Sequence, residues 1–168
     1  MIVNRLLILV PLAALAAGCG ATRTVPVVQT TKANRLTLYG HIVSLTRKGG
    51  RYELRFDPAW LLSGTAAERA AVEDGVLEPG QPVPNDNYTV EDGHRKLTFD
   101  VSRTARVTLV GKGVRPLSVS VAELTDILAG RNPRHRALFD PSNHLGFWIR
   151  IGDTYPNAVI ELDQQYHP

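Results

Sequence analysis

From residue 36 onward, apolar and polar positions alternate in short runs, the pattern of β-strands with one buried face. The first run, 36–45, carries Gly40 at its centre, where a bulge or bend is expected. Lys48-Gly49-Gly50 supplies a turn, and 51–57 then alternates strictly. Tyr52, Leu54 and Phe56 share one face, and Arg51, Glu53, Arg55 and Asp57 share the other. The two runs predict a hairpin. Pro58 has no N–H to donate and ends the second strand, and Trp60, Leu61 and Leu62 follow as a compact apolar plug.

The period then changes. Thr65 and Glu68 stand at the spacing of a capping box, each able to satisfy a free N–H at a helix start. Ala66, Ala67, Ala70, Ala71 and Val72 fill about two turns, and Gly75 is placed to end them. A face made mostly of Ala requires close packing. Residues 76–87 form a loop stiffened by Pro79, Pro82 and Pro84. Strands are expected at 88–90, 96–102 and 105–110, with turns at Asp92-Gly93 and Gly111-Lys112-Gly113. Ser120 and Glu123 make a second capping box for a helix whose Val121, Leu124 and Leu128 share a face, closed by Gly130. A polar loop, 131–143, precedes the last two strands. In the first, Phe147, Ile149 and Ile151 alternate with Trp148 and Arg150. In the second, Ala158, Ile160 and Leu162 alternate with Val159 and Glu161, after a turn at 153–157.

These elements predict a mainly β, α+β domain with two short helices. The first choice of architecture is a small OB-like β-barrel, whose helix falls between its third and fourth strands. The helix at 120–129 would close one end, and 58–90 would be an insertion between strands two and three. A β-sandwich or an α+β roll would give much the same string of elements.

The segment before residue 35 reads differently. Arg5 gives a short positive region, and residues 6–17 are apolar apart from Pro11. This run of about 12 residues is short of the roughly 20 that span a bilayer. Leu15-Ala16-Ala17-Gly18-Cys19 resembles a bacterial lipobox, with small residues before the cut and a thiol to accept the lipid. Residues 1–18 are therefore expected to be a lipoprotein signal peptide. Residues 19–34 then form a lipid anchor at Cys19 and a flexible tether, and 35–168 the globular domain. The expected location is the extracytoplasmic face of the cell membrane, with palmitate among the acyl groups. Cleavage after Ala14-Leu15-Ala16 would instead release a secreted protein.

Cys19 is the only cysteine among 168 residues, which excludes an internal disulfide, a zinc ribbon and a CxxC redox pair. The formal charge of +3 is too small and too dispersed for nucleic acid, which is not expected as a partner.

Candidate chemistry is sparse. No G-x-S-x-G, H-E-x-x-H, P-loop or dinucleotide fingerprint occurs, and no catalytic residue is assigned. The five histidines, His41, His94, His135, His144 and His167, lack metal-ligand spacing, and Ser142-Asn143-His144 has none of the separation usual in a triad. Asp74, Asp86 and Asn87 offer hard oxygens that could take Ca²⁺, although Val90 stands where an EF-hand needs Gly. The plainer reading of Asn85, Asp86 and Asn87 is a set of side-chain turns leading into a strand, with no cofactor. Arg131, Arg134, His135 and Arg136 form one basic cluster, able to meet anionic headgroups or an envelope polymer, although the plainer reading is a solvated loop. Trp148 lies opposite Phe147 and Ile149, so it either faces solvent or lies beneath the insertion. An exposed Trp can stack on a sugar or a base.

Seven stretches carry a resemblance: Leu38-Tyr39-Gly40-His41-Ile42, Phe56-Asp57-Pro58-Ala59-Trp60-Leu61-Leu62-Ser63-Gly64, Ala70-Ala71-Val72-Glu73-Asp74-Gly75, Pro82-Val83-Pro84-Asn85-Asp86 with Tyr88, Arg95-Lys96-Leu97-Thr98-Phe99, Gly146-Phe147-Trp148-Ile149, and Asp163-Gln164-Gln165-Tyr166-His167-Pro168. Across nearly all of 36–168 the chain resembles a family of actinobacterial lipoproteins and secreted proteins of unknown function. That resemblance implies a location and a domain extent and assigns no reaction. In that family a second Tyr often stands where Asn87 is here. The resulting expectation is a membrane-tethered, non-enzymatic binding or interaction module whose partner is an envelope protein or glycan. The alternative is an envelope hydrolase using carboxylates such as Asp57, Asp74 and Asp86, with or without a metal.

Overall fold

The computed structural model describes residues 36–91, 93, 95–139, 145–152 and 158–166. Cys19 and the leader, Asp92, His94, Ser142-Asn143-His144, the 153–157 turn and His167 lie outside them. Five strands close a barrel. They are β1 (Thr37–Lys48), β2 (Arg51–Pro58), β5 (Leu97–Gly111), β7 (Phe147–Ile151) and β8 (Val159–Gln164). Around the barrel the order is β1-β2-β5-β8-β7 and back to β1. Every pair is antiparallel except β5–β8, which is parallel. Helix α2 (Val121–Leu128) stands between the third and fourth barrel strands in chain order. This is a small OB-like barrel with an α+β complement.

The β1–β2 hairpin follows from local chemistry. Gly49 and Gly50 take φ of 52° and 92°, the positive values that a two-residue hairpin turn demands. Tyr52, Leu54 and Phe56 point inward as the alternation requires. Inside the barrel Leu54, Phe56, Val107, Ile149, Val159 and Leu162 are almost wholly removed from water. Each contributes about 1.5–3 kcal/mol of transfer free energy. Val121, Leu124 and Ile127 of α2 join this core and plug one end of the barrel. The capping box forms as expected: Ser120 Oγ accepts from Glu123 N–H at 3.1 Å, and the Glu123 carboxylate accepts from the Ser120 N–H.

Between β2 and β5 the chain builds a small lobe from β3 (Trp60–Ser63), α1 (Gly64–Glu73), a 3-10 turn over Pro84–Asp86, and β4 (Asn87–Val90). Its core, Ala67, Ala71 and Val83 with Leu62, Leu77 and Tyr88 against them, is separate from the barrel's. The Ala face of α1 packs closely, as its composition requires.

Several expectations need correction. Trp60, Leu61 and Leu62 are no plug; they form β3, paired antiparallel with β4. The 65/68 capping box does not start α1. The helix begins at Gly64, whose N–H donates to Asp86 Oδ1 at 3.0 Å across 22 residues of chain. The bulge of β1 falls between Ile42 and Ser44, whereas Gly40 permits close approach. A Cβ on Gly40 would lie 2.1 Å from the Asp57 carbonyl oxygen. The two strands expected over 96–110 are the single strand β5, 15 residues long, because its two halves pair with different partners. β6 (Arg115–Val119) has no counterpart in the alternation reading. Pro116 argues against a central strand but is tolerated here, since β6 pairs with β5 alone. In β8 the pairing skips Ile160, so Val159 and Leu162 face the core and Glu161 faces out.

Candidate functional site

The barrel's outer surface over β1, β7, β8 and β5 is where polar and aromatic side chains are gathered. Inward placement of Phe147, Ile149 and Ile151 turns Trp148 and Arg150 outward. The irregularity at Ile160 does the same for Glu161 and Asp163, and the alternation of β5 does so for Arg106 and Thr108. Register then sets two parallel rows across the four strands. One runs Thr37, Arg150, Glu161, Arg106, and the other Tyr39, Trp148, Asp163, Thr108.

The first row is ionic. Glu161, only 6% exposed, is paired on one side with Arg150 and on the other with Arg106. Arg106 Nη2 also lies 3.9 Å from Asp163 Oδ2, linking the rows. The shielded carboxylate thus lies between the half-buried Arg150 and the largely exposed Arg106, and charge-assisted pairing orients both guanidinium groups toward it.

The second row is aromatic at its β1 end. The Tyr39 and Trp148 rings lie 5.1 Å apart, tilted by 56°, and Tyr39 lies against Gly146, where a Cβ would fall 2.1 Å from its hydroxyl oxygen. Tyr39 is buried, and its hydroxyl hydrogen-bonds the Thr89 side chain of the lobe. Burial pushes this hydroxyl above the ordinary phenol range; the Thr89 bond opposes that shift and the Glu91 charge adds to it. Beyond Tyr39, His41 Nε2 lies 2.8 Å from Glu91 Oε1, outside hydrogen-bond alignment, and Ala59 N–H donates to Tyr39 O at 3.0 Å. The lobe thus joins the barrel beside Tyr39, and half-buried Trp148 lies between that junction and Asp163.

The basic residues singled out in the sequence are occupied elsewhere. Arg131 binds Asp126 Oδ1 through Nη2 at 2.7 Å and Nε at 3.1 Å. Arg136 clasps Glu123, and Arg134 Nη1 lies 3.7 Å from the same carboxylate. The bond from Arg136 is the main reason Glu123 is held below the usual carboxylate range; shielding from water acts the other way. All three arginines therefore tie the 131–136 segment to α2.

The oxygen-bearing residues are dispersed in role. Asp74 Oδ2 accepts from the Tyr88 hydroxyl at 3.0 Å, Asp86 caps α1, and Asn87 Nδ2 donates to Asn85 O at 2.6 Å. Asn85 and Asp86 both take φ of 58°, a conformation these residue types tolerate in side-chain turns. Asp57, on the barrel, faces Lys96 Nζ at 3.6 Å. Among the described residues no three His, Cys, Asp or Glu side chains come together as a metal site requires, and no helix is long and apolar enough to cross a membrane.

The β2–β5 face is the usual ligand surface of such barrels. Here it presents Glu53, Arg55, Asp100 and Thr98 in register, with Lys48–Glu53 at 2.5 Å and Arg51–Asp100 at 3.7 Å. Among the described outward residues of β2 and β5 there is no Phe, Tyr or Trp. Sequence reasoning singled out Trp148 but missed Arg106, Arg150, Glu161 and Asp163. Their only local signal is a polar residue at every second strand position, and pairing alone makes them neighbours. Comparisons with protein-family models, curated proteins and solved structures gave no match.

Proposed function

We propose that this chain is a lipid-anchored, extracytoplasmic binding module of the cell envelope, without catalytic activity of its own, held to the membrane by acylated Cys19. The observation that carries the binding role is Trp148, half-buried on the outside of the barrel and flanked by the ionic row of Arg150, Glu161 and Arg106. The lipobox around Cys19 carries the anchoring, and the resemblance to actinobacterial lipoproteins agrees with it. The separate engagements of Asp57, Asp74 and Asp86 favour binding over a carboxylate hydrolase, whose acid and base must face one substrate.

Metabolic labelling with palmitate tests the anchor. Wild type is expected to be labelled and to sediment with membranes, and Cys19→Ser to be unlabelled. An unlabelled wild-type protein in the medium would overturn the anchor in favour of secretion after Ala16. Sedimentation of the purified chain with protein-stripped envelopes tests the binding role, and no retention by them would overturn it.

A further inference from the structure

We infer that the outer face around Trp148, Asp163, Arg106 and Arg150 is a binding site for a neutral polysaccharide. One sugar ring stacks on the indole, and its neighbours' hydroxyls are held by the carboxylate and the two guanidinium groups. The inference rests on the binding-module reading and adds the ligand's class and position. It differs from that reading in what it excludes.

Four observations lead to this chemistry. First, the site is a strand face, so it suits an extended chain lying across β7, β8 and β5. Second, Trp148 is its aromatic platform, since Tyr39 in the same row is buried by Gly146 and the lobe. The weakly acidic C–H groups of a pyranose ring lie well on such a π-face. Third, the flanking groups are planar, and buried Glu161 holds the two guanidinium groups in place. Asp163 accepts, and Arg106 and Arg150 donate, so paired hydroxyls on one sugar meet fixed partners of both kinds. Fourth, the formal charges cancel: Arg106 and Arg150 are positive, Glu161 and Asp163 negative. A polyanion would find no net attraction here. Apart from buried Tyr39, the outward neighbours of Trp148 in the two rows are Thr37, Thr108 and the charged groups, which offer polar partners to sugar hydroxyls.

The test uses the full-length lipidated chain in phosphatidylcholine vesicles. Neutral hexasaccharides of glucose, mannose and galactose are the probes, with heparin as the anionic contrast. Fluorescence of the two tryptophans, Trp60 and Trp148, reports binding. At least one neutral hexasaccharide is expected to shift the emission, with affinity nearly constant between about 50 and 300 mM salt because no counterions are released. Trp148→Ala is expected to weaken binding about tenfold or more, and Trp60→Phe to leave it unchanged. Arg106 is largely exposed, so Arg106→Gln tests the site without touching the core, and isothermal titration is expected to read about threefold weaker binding. Trp148→Phe keeps a ring and is expected to retain most of the affinity, which covers the case where Trp148→Ala fails to fold.

Three outcomes would overturn the inference: no response to any neutral hexasaccharide, equal binding by wild type and Arg106→Gln, or heparin binding that falls steeply with salt. If any of these occurs while the chain still sediments with stripped envelopes, only the ligand assignment fails. Loss of that sedimentation as well would remove the binding-module reading itself.

Discussion

Arg136 lays its guanidinium along the Glu123 carboxylate, with Nε donating to one oxygen at 2.8 Å and Nη2 to the other at 3.3 Å. Glu123 lies in the first turn of α2, so this contact pins the polar 131–136 segment to the helix that plugs the barrel. Glu123 is only 5% exposed, with exposed Arg134 and half-buried Arg136 lying over its carboxylate.

Such shielding is shallow, which sets a modest energy. Glu123→Gln is expected to destabilise the chain at neutral pH by about 1–2 kcal/mol, measured by urea unfolding. Because folding holds Glu123 below its ordinary value of 4.5, its stabilisation is fully present above that pH and is lost as pH falls through the folded value. The gap between wild type and Glu123→Gln should therefore close in acid. A gap that widens on acidification would contradict the assignment.

Gly40→Ala tests the close approach of β1 and β2. The added Cβ would meet Asp57 O at 2.1 Å and Pro58 Cα at 2.8 Å, both backbone atoms that no rotamer change can move. A loss of about 2–3 kcal/mol is expected. Nuclear magnetic resonance shift changes should concentrate at 39–41 and 57–59. Wild-type stability in this variant would show that the strands separate freely here.

Gly146→Ala is a different kind of clash. Its Cβ would strike the Tyr39 ring, a side chain that can be shortened. Alone, the substitution is expected to cost about 1–3 kcal/mol and to break the Tyr39–Thr89 hydrogen bond. Combined with Tyr39→Leu, it should cost much less than the sum of the two single changes. Additivity in that double-mutant cycle would refute the contact.

Asp86→Ala removes the acceptor that caps α1 from the far side of the lobe. Because the lobe's core is separate from the barrel's, the loss, about 1 kcal/mol, should be local. Hydrogen exchange is expected to quicken at the amides of 64–73 while those of Leu54, Val107 and Ile149 keep their protection. Equal quickening in the barrel would mean that the two units unfold as one.

The elements legible along the chain are those whose causes are local. Tyr52, Leu54 and Phe56 face inward because side chains alternate on any strand, and Gly49-Gly50 turns because only glycine takes those angles without cost. Ser120 and Glu123 cap a helix because their spacing lets each reach the other's N–H. From this much the OB-like barrel could be placed ahead of a sandwich or roll.

What needed the tertiary structure were relationships between segments far apart in the chain. The parallel pairing of β5 with β8 and the skipped residue Ile160 decide that Glu161 meets Arg106 and Arg150. Arg131, Arg134 and Arg136 look like one basic patch in sequence, yet α2 presents carboxylates to all three. Trp148 was conspicuous from alternation alone, but apart from Arg150 its ionic neighbours come from two other strands, β8 and β5. Side-chain period and turn angles are properties of a few adjacent residues. Register and ion pairing depend on which backbones meet, and barrel closure decides that.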